Sequence, residues 1–190
     1  MAGLTRQRYE KIMKPKKLKT YVLTLSQNFL TGHPRAGEPT NFLAEFMLGQ
    51  GEEFSDLPKE YINQLHPKIH TIRGNYDMWA KRIAKVQAGE AILSVRRWSG
   101  VPFHTKQITI KDLTAEDGVG VVKVNIIKDS QNGHLWLYMH DNNRHILNRH
   151  LEAKRVAYND GLSQRDFIDW FAKYDLSEPM ALIYFTKFRY

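Results

Sequence analysis

The segment Lys68-Ile69-His70-Thr71-Ile72-Arg73 sets two cations and a hydroxyl within six residues. It predicts an extended run after Pro67, broken by Gly74 and Asn75. Side chains three apart on a regular strand point to opposite faces, so Lys68 and Thr71 meet only if the chain bends or bulges between them. Pro67, immediately ahead, gives the chain a reason to bend there. A second grouping, Arg96-Arg97-Trp98, joins two cations to an indole, a combination that can stack a base and neutralise phosphate. Strand alternation puts Arg96 and Trp98 on one face and Arg97 on the other. Trp98 therefore either plugs the core or faces a ligand.

Other common chemistries lack their signatures. The chain has no GxxxxGK[ST] or GxGxxG phosphate loop, no HExxH and no GxSxG. Gly118-Val119-Gly120 stands alone and opens a strand. His140, Asp141, His145 and His150 crowd together, but their spacing fits no helix-face metal pair, so neither a metal nor a cofactor is expected.

The 190 residues predict one domain with decoration, at 42% hydrophobic and 25% charged, an ordinary globular composition. Lys and Arg number 28 against 20 Asp and Glu, a net charge of +8 that favours an anionic partner, nucleic acid being the commonest. With no cysteine, a disulfide framework, a Cys-based zinc site and a thiol nucleophile are all excluded. No window approaches the roughly 18 apolar residues of a membrane span, and Met1 to Lys19 lack the apolar core of a leader, so a cytoplasmic protein is expected. That opening stretch carries Arg6, Arg8, Lys11, Lys14, Lys16, Lys17 and Lys19 against Glu10 alone. It reads as a solvated arm or as a helix whose polar face reaches phosphate.

The elements that must position these residues follow from periodicity. Tyr21, Leu23 and Leu25 alternate as a strand, and Pro34, Gly37 and Pro39 make 32–40 a loop. Phe42, Leu43, Phe46 and Met47 recur at helical spacing and read as core packing, ended by Gly49 and Gly51. Asp77 to Val86 predicts an amphipathic helix anchored by Trp79 and stopped by Gly89. Strands are expected at Ala91–Arg97, Gln107–Ile110, Val119–Ile127 and His134–Met139, the last two joined about Asn132-Gly133. A helix from Asn148 to Ala157, a helix capped by Ser163 and a closing strand from Met180 to Phe188 complete the chain. The predicted architecture is α+β: a small mixed β-barrel with surrounding helices.

The Lys-x-x-Thr-Ile-Arg segment, the helix after it, Gly89-Glu90-Ala91-Ile92-Leu93-Ser94-Val95 and the strand Ile183-Tyr184-Phe185-Thr186-Lys187-Phe188 resemble the ASCH family, a branch of the PUA-like β-barrels associated with RNA. The resemblance covers Lys68 to Tyr190, about two-thirds of the chain. It divides the sequence into an N-terminal elaboration over 1–66, with one barrel-associated strand, and a barrel over 67–190. It implies a nucleoside or RNA as partner. One ASCH subgroup removes the acetyl group from N4-acetylcytidine, and that resemblance implies Thr71 as nucleophile, Lys68 as base and an acid before a late helix. The acid's position falls near Asp160, with Asn159 equally near by spacing. Arg73 would then touch substrate phosphate or hold a carboxylate in the core, and Arg96, Arg97 and Trp98 would contact substrate. A non-catalytic RNA-binding module is the alternative.

Overall fold

A computed structural model describes residues 18–129, 135–140 and 149–190, of which 149–152 enter as backbone only. In chain order the elements are β1 (Lys19–Thr24), α1 (Phe42–Gly49), α2 (Lys59–Ile62), β2 (His70–Arg73), α3 (Tyr76–Gln87), β3 (Ala91–Trp98), β4 (Gln107–Leu113), β5 (Gly120–Lys128), β6 (Leu135–His140), β7 (Arg149–Glu152), α4 (Ala153–Asn159), α5 (Gln164–Phe171) and β8 (Met180–Tyr184). They form two sheets, ordered β1-β3-β4 and β2-β8-β5-β6-β7. β1 and β3 run parallel; the other ladders are antiparallel. The fold is mixed α and β, and the ladders among the described residues do not close into one barrel.

β8 lies between β2 and β5, and all five of its residues are buried, which accounts for an apolar run without alternation. α3 turns Trp79, Ile83 and Val86 inward at i, i+4 and i+7 and packs on β3, β5 and β8, so one helix bridges both sheets. Its start is held by Asn75, whose side chain accepts from the Met78 N–H at 3.1 Å. Residues 18–66 contribute to this core: Leu23, Leu25, Phe29, Phe42 and Phe46 belong to the same buried cluster as Ile83, Leu182 and Phe185.

Three expectations change. The helix predicted to begin at Asn148 is instead β7 followed by α4, because the open edge of β6 pairs with 149–152 before the helix starts. The closing strand stops at Tyr184, where its β5 and β2 partners end, and the Phe185 N–H bonds to the Ile69 carbonyl at 2.9 Å. The short helix α2 was not anticipated. The Asn132-Gly133 turn, residues 1–17, Asp141 and His145 lie outside the described residues. Among the described residues no helix is long and apolar enough to cross a membrane.

Candidate functional site

Residues 68 and 69 are stapled to two elements before β2 begins. The Lys68 N–H donates to the Glu45 carbonyl on α1 (2.9 Å), and the Ile69 N–H donates to the Asn159 carbonyl at the end of α4 (2.9 Å). Gly49 makes the approach of α1 possible, since a Cβ there would stand 2.6 Å from the Lys68 carbonyl oxygen. These bonds lie outside the β2 ladder; the Lys68 Nζ turns to Asp160 and Phe42, and no described hydrogen bond joins it to Thr71.

Lys68 is 1% exposed. Its Nζ donates to the Asp160 backbone carbonyl at 2.6 Å and to Asp160 Oδ1, and lies 3.9 Å from the centre of the Phe42 ring. The ammonium is thus satisfied by a carboxylate, a helix-end carbonyl and a π-face. Asp160 is set by the way α4 ends. The Leu162 N–H reaches the Ala157 carbonyl (2.9 Å) and the Gly161 N–H reaches the Tyr158 carbonyl (3.1 Å), a Schellman closure with Gly161 at φ 72°. Burial pushes the Lys68 ammonium below its ordinary range, against the pull of Asp160; the same burial pushes the Asp160 carboxyl up, against the pull of Lys68.

Asp160, not Asn159, therefore meets Lys68. The Asn159 side chain donates to the Tyr190 hydroxyl (3.0 Å), which lies 2.7 Å from His70 Nε2. Burial holds His70 well below its usual range, hence neutral, and raises Tyr190 beyond the usual phenol range.

Sequence reasoning assigned α1 to packing alone and missed Glu45. This residue is 5% exposed, three positions after Phe42 and beside Phe46 on the buried face of α1. A charged residue on an apolar stripe was the available signal. Gly161 leaves room for its carboxyl: a Cβ there would collide with Glu45 Oε2 and press on Lys68 Cβ. Gly161→Ala combines that collision with a left-handed backbone, and should cost about 1–3 kcal/mol in urea unfolding.

Thr71 pairs with Ile183 and is 2% exposed; no described residue hydrogen-bonds its hydroxyl. Arg73 lies two positions along β2, on the same face as Thr71. Its Nη2 donates to the Thr24 carbonyl at 2.9 Å, and the residue lines a cavity of about 470 Å³. The other walls include Phe29, Phe42, Trp98, Phe103, Trp170 and Tyr174. Phe42 is shared: it faces the cavity and also carries the Lys68 ammonium on its ring.

The loop from Phe29 to Thr40 is held against this cavity by α5. Arg35 donates to Asp166 Oδ2 (2.9 Å) and Glu38 Oε2 (2.7 Å), while Ser163 caps α5 by accepting from the Asp166 N–H (3.0 Å). Phe29 stacks on His33 with ring centres 4.4 Å apart and meets Trp170 at 6.0 Å. At the mouth, Trp98 packs on Phe103 (5.2 Å), which is 87% exposed.

The second sequence grouping divides. A bulge falls between Val95 and Arg96. Trp98 faces the large cavity, Arg97 lines a smaller one beside Leu25 and Ile110, and Arg96 Nε turns back to Ser94 Oγ at 2.9 Å. Lys68, Thr71 and Asp160 do not line the large cavity; Arg73 and Trp98 do. His140 Nε2 lies 2.6 Å from Asn125 Oδ1, and among the described residues no three ligand side chains could hold a metal. Compared with family models, curated proteins and solved structures, the chain finds no match.

Proposed function

We propose that the protein binds a nucleoside, or a base presented by RNA, in the cavity over Arg73. The observation that carries this reading is the cavity's composition: aromatic walls around a guanidinium with one described hydrogen bond, to Thr24. Aromatic faces take a base by stacking, and guanidinium N–H groups suit a base carbonyl or a phosphate oxygen. The volume of about 470 Å³ lies within the range of small-molecule sites. The resemblance of Lys68-x-x-Thr71-Ile72-Arg73 to the ASCH family supports the same class of ligand, and in this reading the two sheets correspond to a PUA-like barrel. A thermal-shift panel of nucleosides, acylated nucleosides and short RNA tests it. The panel should contain at least one ligand that raises Tm in a saturable way; a uniformly flat panel contradicts the reading.

A second reading, hydrolysis of an acyl amide on the bound base, is supported by the buried Lys68–Asp160 contact, which shares Phe42 with the cavity, and requires the acyl group to reach Thr71, which does not line the cavity. A threonine hydroxyl needs a base to become a nucleophile, and burial moves Lys68 in the required direction. In this chemistry neutral Lys68 takes the Thr71 proton as Oγ attacks the acyl carbonyl. The C–N bond breaks with that proton passing to the departing amino group, and water then hydrolyses the acyl-threonine to release the acid. Asp160 orients the lysine. Lys68→Ala and Thr71→Ala should each abolish acetate release from N4-acetylcytidine; unchanged turnover in either removes its assigned role. Binding without turnover identifies the RNA-binding module instead, with log affinity falling by roughly 0.7–0.9 per neutralised phosphate for each tenfold rise in salt.

A further inference from the structure

Glu45 belongs to α1 rather than to the segment that carries the Lys-x-x-Thr-Ile-Arg pattern, yet its carboxyl lies inside the same charged cluster. The groups facing it are Lys68 from the approach to β2, Asp160 from the turn after α4, and the backbone of His66, whose side chain packs on Tyr158 with ring centres 4.6 Å apart. Hydrogen-bond accounting favours the neutral state, in which the poorly partnered buried oxygens carry no charge. Glu45 Oε1 receives one long bond from the His66 N–H at 3.4 Å, and Oε2 is buried with no donor among the described residues. An ionised carboxylate has about four acceptor sites to satisfy, and burying one with a single weak donor is costly. The absence of a side chain at Gly161 leaves that bare oxygen its space. Lys68, the nearest cation, gives its hydrogen bonds to Asp160 and its remaining face to Phe42.

We propose that Glu45 is a positioning residue for Lys68: it stands as a neutral carboxyl behind the Lys68–Asp160 contact, so that Asp160 is the single anion holding the ammonium. The chemical consequence concerns the lysine's proton. One carboxylate orients an ammonium and still lets the proton leave; a second buried carboxylate would bind the proton more tightly and disable the base. The inference rests on the hydrolytic reading for its purpose, but not for its evidence. Burial pushes the Glu45 carboxyl up to about 8, in agreement with the hydrogen-bond accounting.

The direction of linkage is fixed by that upward displacement. A carboxyl that is harder to ionise in the folded chain than in the unfolded one stabilises the fold at acid pH. That contribution is lost as pH rises from about 4.5 towards about 8. Glu45→Gln, a neutral isostere, removes the loss. The Tm difference between Glu45→Gln and wild type should therefore grow with pH, reaching about 5 °C or more in favour of the variant at pH 8.5. A difference that is flat, or that moves against the variant as pH rises, overturns the neutral carboxyl. So does a Glu45→Gln chain that fails to fold at pH 6. An independent check is the infrared carbonyl band of a protonated carboxyl at pH 7, expected in wild type and missing from Glu45→Gln; identical spectra overturn the assignment.

The positioning role needs its own readout, the NMR titration of the Lys68 side chain. Wherever Glu45 ionises in wild type it adds a second anion beside Lys68, so the Lys68 midpoint should lie at lower pH in Glu45→Gln. An unmoved midpoint reduces Glu45 to a structural residue. If no acylated nucleoside is turned over, the hydrolytic reading falls, while these Tm and titration measurements still decide the role of Glu45.

Discussion

Lys68→Met should destabilise the fold by about 3–5 kcal/mol, and Lys68→Met combined with Asp160→Leu should recover most of that loss. Removing the lysine leaves a carboxylate that is 4% exposed without the cation that hydrogen-bonds it. That bare charge must either be stabilised by water that has little access or be neutralised by taking up a proton. The second route makes the loss depend on pH. With Asp160 harder to ionise in the folded variant than in its unfolded chain, the deficit is small below the ordinary carboxyl range and grows as pH rises through it. Urea unfolding at pH 4 and pH 8 reads both terms. The double variant exchanges the pair for apolar volume against Phe42, so its recovery separates the cost of an orphaned charge from any intrinsic worth of the ion pair. Equal losses in the single and double variants would mean that the pair itself, not the orphaned partner, carries the energy.

Arg73→Gln should weaken nucleoside binding by about 10²-fold while moving Tm little. The guanidinium has one described hydrogen bond to the fold, at Thr24, and the residue lines the cavity. Its loss therefore falls on the ligand more than on the core. Arg73→Lys should not restore binding, because an ammonium cannot hold the Thr24 carbonyl and offer a planar pair of donors together. Trp98→Ala removes a stacking wall and should cost less, about 1–2 kcal/mol by isothermal calorimetry against the roughly 2.7 kcal/mol of a 10²-fold loss. Similar affinity in wild type and Arg73→Gln would displace the guanidinium from the site.

What was legible in the sequence divides along a physical line. Local signals carried well: Ser163 caps α5 and Trp79 anchors α3. These depend on neighbours a few residues away. The partnership of Lys68 with Asp160 spans 92 residues and was reached only through the family resemblance, with Asn159 left as an equal candidate. The structure separates the two because the Schellman turn aims one inward while Tyr190 takes the other. The cavity was not legible at all. Phe29, Phe42 and the Trp170–Tyr174 pair come from three separate stretches, and Phe42 reads as packing by its spacing alone. Arg96 left the predicted site because a bulge in β3 and Ser94 redirect it, a detail no alternation rule anticipates. β7 was misread because an isolated stretch does not reveal that β6 offers it an edge.

The central claim is that a base enters the cavity over Arg73, and the four tryptophans provide a map for testing it. Trp98 and Trp170 line the cavity, Trp79 is buried in α3, and Trp136 sits on β6. In a titration of the isotope-labelled chain with cytidine and N4-acetylcytidine, the indole N–H signals of Trp98 and Trp170 should move together and saturate, with Trp79 and Trp136 unmoved. Indoles that all stay in place at millimolar nucleoside, or a response confined to Trp136, would contradict the account.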